Sequence, residues 1–183
     1  IPLELGLKHG VRRYGFHGLS HAYLTDEAAK FLKRPPSRLN IVTCHLGAGS
    51  SVTAVKGGKS VDTTMGYSPL EGLPMQTRSG DIDAAAVERI AQIKGWPVAD
   101  TIRFLNRESG LKGVSGSTGD VRDLLAERRE GREAATVALG LLTARVKKTI
   151  GAYTALLGGM DALVFSAGIG ENSPDVRAEV CAG

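Results

Sequence analysis

The chain switches between two hydrophobic periods, and the switches mark its elements. Across 18–33, Leu19, Tyr23, Leu24, Ala28, Phe31 and Leu32 recur near the helical repeat, which predicts an amphipathic helix. Pro35-Pro36 ends it, because proline lacks the N–H donor and restricts the residue before it. The period then shortens. Ile41-Val42-Thr43-Cys44 is a β-rich run, and the runs 51–55 and 60–64 flank Lys56-Gly57-Gly58-Lys59. A Gly-Gly pair between two such runs signals a two-residue hairpin turn. Three successive strands are expected, with Gly47-Ala48-Gly49 bending the chain between the first two.

Further on, 67–81 is broken by prolines and glycines and reads as a long loop, a type that is usually functional. Helical patterns follow at 83–93, 98–106 and 121–129, with a glycine- and serine-rich loop at 109–120. The longest pattern runs from about 132 to 157, with Val137, Leu141, Leu142, Val146, Ile150, Tyr153, Leu156 and Leu157 as its apolar stripe. At ~1.5 Å per residue, such a helix is roughly 39 Å long and crosses a whole domain. Gly158-Gly159 stops it. Residues 162–165 read as a buried strand, 168–172 as a glycine-rich loop, and Ser173-Pro174-Asp175 as a capped helix start. This order of elements predicts an α/β domain with a mixed sheet flanked by helices.

Composition narrows the function. Of 183 residues, 42% are hydrophobic and 23% charged, enough for a packed core. The net charge is +4, with both signs interspersed. The densest basic run, 30–34, reads as a solvated helix end, so no nucleic-acid partner is expected. No apolar run approaches the roughly 18 residues of a membrane span, and no signal-peptide pattern opens the chain. Two distant cysteines, Cys44 and Cys181, read as free thiols of a soluble cytoplasmic protein. The chain opens at Ile1 and stops at Gly183, shortly after the helix start at Pro174, which suggests a fragment.

Four segments carry candidate chemistry. Gly168-Ile169-Gly170-Glu171-Asn172 lies between a strand and a helix start, where backbone N–H groups favour phosphate. It lacks both the Walker and the dinucleotide spacing, and an ordinary strand-to-helix connection would look similar. His45, Gly47, Ala48 and Gly49 form a bend that could offer N–H groups to a phosphoryl chain, or serve only as a hairpin. Arg78 has the fork for phosphate or carboxylate, or is solvated. His17 and His21 lie one helical turn apart. Zinc ligation needs further ligands, and no acid stands between them; core or capping roles remain open for both.

Together these segments resemble the acetate kinases. The resemblance rests on "VRRYGFHGLSHAYL", on "HLGAGSSVTAVKGGKSVDTTMGYSPLEGLPMQTRSGDID", and on "GVSGSTGDVRDL" and "FSAGIGENSPDVR", in the family's order. It covers essentially the whole chain. It implies the second, ribonuclease H-like domain of the acetate and sugar kinase, heat-shock ATPase and actin superfamily. Residues 1–36 would be the crossover between domains and its helix, and 37–183 the C-terminal ATPase-like domain, truncated at its end. The first domain would be missing, so the isolated chain is expected to be inactive.

The implied reaction is Mg²⁺-dependent, reversible, in-line transfer of a phosphoryl group from ATP to acetate, giving acetyl phosphate and ADP. Propionate or another short-chain carboxylate is the alternative acceptor. By the same resemblance, His17 and Arg78 are catalytic, and Phe16 and Pro69 wall the acetate pocket. His45, Gly47, Ala48, Gly49, Asp120, Val121, Arg122, Gly168, Ile169, Gly170, Glu171 and Asn172 would bind ATP. His21 is structural. The magnesium ligands would lie mainly outside this chain, which supplies none, and a homodimer through this domain is implied. Two positions depart from the family: Ala48 replaces an asparagine and Val121 a common phenylalanine, which implies altered nucleotide affinity. A chaperone-type ATPase of the superfamily would need neither His17 nor Arg78.

Overall fold

The computed structural model describes residues 1–182. Strands β1 (Asn40–Leu46), β2 (Ser50–Lys56), β3 (Lys59–Thr63) and β4 (Ala162–Ser166) form one sheet in the order β3-β2-β1-β4. β1 pairs antiparallel with β2, from Asn40 opposite Lys56 to Leu46 opposite Ser50. It pairs parallel with β4, from Ile41 beside Ala162 to His45 beside Ser166. The sheet is therefore mixed, as the order of elements predicts.

β1 is covered on both faces, and its alternation assigns each face. Val42, Cys44 and Leu46 point into one core, together with Val52 and Ala54. Helix α7 (Glu133–Leu157) closes that core with Leu139, Leu142 and Val146. Ile41 points the other way, where Leu39 and Val55 meet Ala29 of α2 (Gly18–Leu32). Further along the same face, apolar contacts give way to Thr43, Ser51 and Thr53, all buried. A buried polar surface must be hydrogen-bonded within the protein, and α2 supplies the partners described below.

The remaining helices are α1 (Leu3–His9), α3 (Ala84–Lys94), α4 (Val98–Arg107), α5 (Gly110–Ser115), α6 (Val121–Arg129), α8 (Ala167–Asn172) and α9 (Pro174–Cys181). Capping follows the sequence. Asp83, Asp120 and Ser173 each accept a backbone N–H at the start of α3, α6 and α9. No helix among the described residues is long and apolar enough to cross a membrane.

Several expectations are corrected. α1 was not predicted, although its Glu4–Lys8 pair and left-handed Gly10 are helix signals. α5 occupies part of the expected loop 109–120. α8 replaces the expected loop at 168–172, because Glu171 accepts the Ala167 N–H and Asn172 donates to the Gly168 carbonyl. The α7 stripe is right in part: Leu142, Val146, Tyr153 and Leu157 are buried and Ile150 packs against the core. Val137, Leu141 and Leu156 are exposed, whereas Ala135, Ala138 and Leu139 are buried. Small side chains let α5, α6 and β2 approach α7 closely, and that closeness outweighs side-chain size in choosing the inner face. On α2, Leu19, Tyr23 and Phe31 are likewise exposed, and His21, Leu24, Thr25 and Ala29 face inward.

Candidate functional site

The two connections at the C-terminal end of β1 meet at one crevice. The bend 47–49 leads into β2, and the β4–α8 turn lies beside it. Crevices at the carboxyl ends of such strands are where open α/β sheets bind ligands. Ala167, at the turn, has a left-handed φ of +63° despite carrying a Cβ. Non-glycine residues held in that region cost about 1–3 kcal/mol and cluster at working sites.

Two side chains, His17 and Arg78, converge on Gly49, and His45 backs the first of them. His17, the residue before α2, also has a left-handed φ of +63°. That turn throws its ring over the sheet. A Cβ added to Gly49 would lie 3.5 Å from His17 Nε2 and 3.1 Å from Arg78 Nη1. His45, at the end of β1, stacks on His17 with ring centroids 4.1 Å apart. Ser20 Oγ lies 2.9 Å from His45 Nδ1. Ser51 Oγ lies 2.9 Å from His17 Nδ1.

Arg78 is positioned from the other side. Its Nη1 reaches the Pro69 carbonyl at 3.4 Å and Met75 Sδ at 3.5 Å. The loop that carries it is fastened by backbone bonds from Ser79 N–H to the Leu105 carbonyl and from Ser109 N–H to the Thr77 carbonyl. Gly110, at φ +60°, passes so close that an added Cβ would lie 2.2 Å from the Met75 carbonyl oxygen. The expected long loop is therefore tied down by backbone bonds and close packing.

The electrostatics favour neutral imidazoles. Burial, followed by the charges of His45 and Arg78, lowers the pKa of His17 from 6.5 to about 4. Burial, then His45 and His17, lowers that of His21 to about 4. Burial also lowers His45, against an opposing pull from Glu171. At neutral pH each ring carries one N–H and one lone pair. The permanent positive charge beside His17 is the Arg78 guanidinium.

Beside this cluster lies a cavity of about 660 Å³. Gly47, Ala48, Asp120, Val121, Arg122, Gly168, Ile169 and Asn172 line it, joined by Gln76, Leu125, Arg129 and Asp175. Asp120 grips Arg122 twice, Oδ1 accepting from Nε at 3.0 Å and Oδ2 from Nη2 at 2.6 Å. That hydrogen bonding holds the Asp120 carboxyl below its ordinary 3.8. The mixture of an apolar floor (Val121, Leu125, Ile169) and a charged rim suits a ligand with a flat ring and a polar tail.

Of the sequence-predicted residues, the structure gathers His17, His45, Gly49, Arg78 and Pro69 at one end and most of the others around the cavity. Some lie elsewhere. Gly170 is buried, within 3.5 Å of Phe165 as an added Cβ would measure it. Glu171 turns back to the N–H of Ala167. Neither lines the cavity, because α8 winds where an open loop was expected. Phe16 lines a separate recess of about 240 Å³ with Gly18, His21 and Thr53, and Pro69 does not line that recess. Sequence reasoning missed Ser20, Thr43, Ser51 and Gln76. The signal for Thr43 and Ser51 was present: a polar residue every second position of a strand buried on both faces.

Known proteins can now be set beside this geometry. The profile of the Acetokinase family matches residues 1–183. The acetate kinase of Nitratidesulfovibrio vulgaris strain DP4 is 55% identical over all 183 residues, which span 45% of that protein. That of Heliobacterium modesticaldum is 51% identical over 183 residues, or 46% of its length. The crystal structure of Porphyromonas gingivalis acetate kinase superposes with a TM-score of 0.97 at 42% identity, covering all of this chain and 46% of that one. A propionate kinase from Francisella tularensis superposes with a TM-score of 0.93, also at 42% identity, covering 98% of this chain and 46% of that one. The chain thus spans about half the length of the relatives it matches.

Proposed function

The chain belongs to the acetokinase family, and from that premise we propose that the full-length protein transfers a phosphoryl group reversibly between ATP and acetate. The observation that carries this reading is the convergence of His17 and Arg78 on Gly49, beside the nucleotide-sized cavity. The cavity takes the nucleoside, with Val121 and Ile169 against the base and Asp120 and Arg122 at the rim. The phosphates run over the 47–49 bend towards Arg78. There the guanidinium matches the phosphoryl oxygens, and the His17 imidazole donates a hydrogen bond to them.

Charge on those oxygens spreads during an in-line transfer, so positioned donors stabilise the transition state more than the ground state. No covalent enzyme intermediate is required. A neutral His17 suits this task, because it donates an N–H without holding the product by full charge. His45 buttresses its ring by stacking. Pro69, beside Arg78, forms one wall of the acceptor pocket, and Phe16 is assigned to that pocket in the full-length protein.

Mg²⁺ belongs to the same reading as the partner of the nucleotide phosphates. Among the described residues no group of three or more His, Cys, Asp or Glu gathers to hold a metal, and Asp120 and Asp175 at the cavity are paired with Arg122 and Arg129. The proposal leaves the ion to the phosphates and to residues outside this chain, and no step is routed through it. A homodimer through this domain is supported by the exposed apolar Leu3, Leu7, Leu19, Tyr23 and Phe31. A cytoplasmic location completes the reading, on the two free thiols.

The test is acetyl phosphate formation by the full-length protein from ATP and acetate. ATP hydrolysis without acetyl phosphate would sink the kinase reading. The propionate kinase likeness makes propionate the second acceptor to assay, by comparing kcat/KM for the two acids. The isolated 183-residue chain is expected to form no acetyl phosphate.

A further inference from the structure

The His17 nitrogen that faces away from Gly49 is held by one buried hydroxyl, and the same hydroxyl holds a second histidine. Ser51 Oγ lies 2.9 Å from His17 Nδ1 and 2.7 Å from His21 Nε2. The other nitrogen of His21, Nδ1, lies 2.7 Å from Thr43 Oγ1. Thr43 and Ser51 are both 0% exposed, so bulk water supplies no alternative partner.

In such a chain the direction of one bond sets the next. A neutral imidazole has one N–H and one lone pair, and a hydroxyl has one proton. The Thr43 proton has two acceptors within reach: His21 Nδ1 at 2.7 Å and the Thr53 carbonyl at 3.5 Å. The first is a full hydrogen bond, and the second lies at the outer limit for a hydroxyl donor. If Thr43 accepted from His21, its own proton would be left to the long contact in a dry interior, where an unmade bond is costly. Thr43 therefore donates to His21 Nδ1. His21 then carries its proton on Nε2 and donates it to Ser51. Ser51 donates to His17 Nδ1. The remaining proton of His17 sits on Nε2, the nitrogen beside Gly49 and Arg78.

We propose that Thr43, His21 and Ser51 form a polarised hydrogen-bond chain that fixes His17 as its Nε2–H tautomer, so that the nitrogen at the phosphoryl site is always a donor. The consequence for catalysis rests on the kinase reading above; the polarity of the chain rests on geometry alone. His21 and Ser51 are then positioning residues that touch no substrate. The depressed pKa values of His17 and His21 keep both rings neutral at physiological pH, as the chain requires.

Nitrogen NMR of the full-length protein with ¹⁵N-labelled histidine tests this without reference to activity. At pH 7 His17 Nδ1 is expected to resonate as unprotonated and Nε2 as protonated. The opposite pattern, or an averaged one, would overturn the proposal. Ser51→Ala is expected to release His17 into a mixture of tautomers. It should also lower kcat by on the order of tenfold to a hundredfold, with KM for ATP and acetate within about twofold. A wild-type His17 spectrum in Ser51→Ala would refute it. If Ser51→Ala does not fold, Thr43→Val, two hydrogen bonds further along the chain, is read in the same way. A protein with the expected tautomer but no acetyl phosphate formation would uphold the chain and defeat the kinase reading instead.

Discussion

The rings of His17 and His45 lie stacked, 4.1 Å between centroids and 18° from parallel. Two neutral imidazoles tolerate that contact, but two imidazolium ions would repel strongly. Burial already disfavours the charged form of each. The stack and the buried His21 beneath it make this end of the sheet a structure that depends on neutral histidines.

Acid should therefore weaken the fold in a defined window. His17 and His21 titrate near 4 in the fold and near 6.5 when unfolded. Between those values the unfolded chain binds more protons, so stability is full above about pH 6.5 and falls as pH drops towards 4. Both rings shift alike, so both contribute to the slope. Asp120 and Asp161 are held below 3.8, so their contribution is lost only at lower pH. Urea midpoints measured from pH 7.5 to 4.5 should decline steadily, and a flat profile would contradict the assignment.

Replacement of His17 removes a donor that acts on the transferring group. His17→Ala in the full-length protein is expected to lower kcat about 10²–10³-fold with little change in KM. Steady-state kinetics in both directions measure this. A large rise in KM with unchanged kcat would make His17 a ground-state binding residue.

Two glycines separate activity from stability. An added Cβ at Gly49 meets the tip of Arg78 at 3.1 Å, the far end of a flexible side chain. Gly49→Ala should displace Arg78 and lower turnover about tenfold or more, with a melting temperature close to that of the wild type. Gly110 has φ +60° and would press its Cβ against backbone 2.2 Å away. Gly110→Ala should destabilise by about 2 kcal/mol or more, through strain and a forced shift of the loop. Thermal unfolding beside kinetics distinguishes the two.

Ala48 lines the cavity and is exposed. Ala48→Asn would introduce an amide at the mouth of the phosphate path. Its expected effect is a KM for ATP lowered about fivefold, the worth of one added hydrogen bond, with kcat nearly unchanged. Unaltered or weaker nucleotide binding would show that backbone N–H groups already suffice there.

What the sequence revealed and what it hid have physical causes. The hairpin around Gly57-Gly58 and the cap at Ser173 were legible because local chemistry decides them; the caps at Asp83 and Asp120 were not singled out. The inner face of α7 was legible at Leu142, Val146, Tyr153 and Leu157 but not along its first turns, where contact with α5, α6 and β2 favours alanines over the larger Val137 and Leu141. His17 and His21 stood out as a pair, but their spacing could not distinguish them. The resemblance separated their roles, and the sheet beneath gives the physical reason, since Thr43 and Ser51 lie under one face of α2. Gly170 and Glu171 do not line the cavity, because a glycine-rich run that looks like an open loop closes into the short helix α8.

The central place of β1 also bears on which changes in chain length the protein tolerates. His45 on this strand faces α2, while Cys44 and Leu46 on either side of it face α7. One inserted residue within 41–46 would exchange those faces. It would send an imidazole into the apolar core and shift the phosphoryl and nucleoside ends of the crevice together. At the opposite end of the same hairpin, Gly57 and Gly58 join β2 to β3 far from both. Added length there should leave the crevice intact, so insertions and deletions among natural variants should collect at that turn and avoid β1.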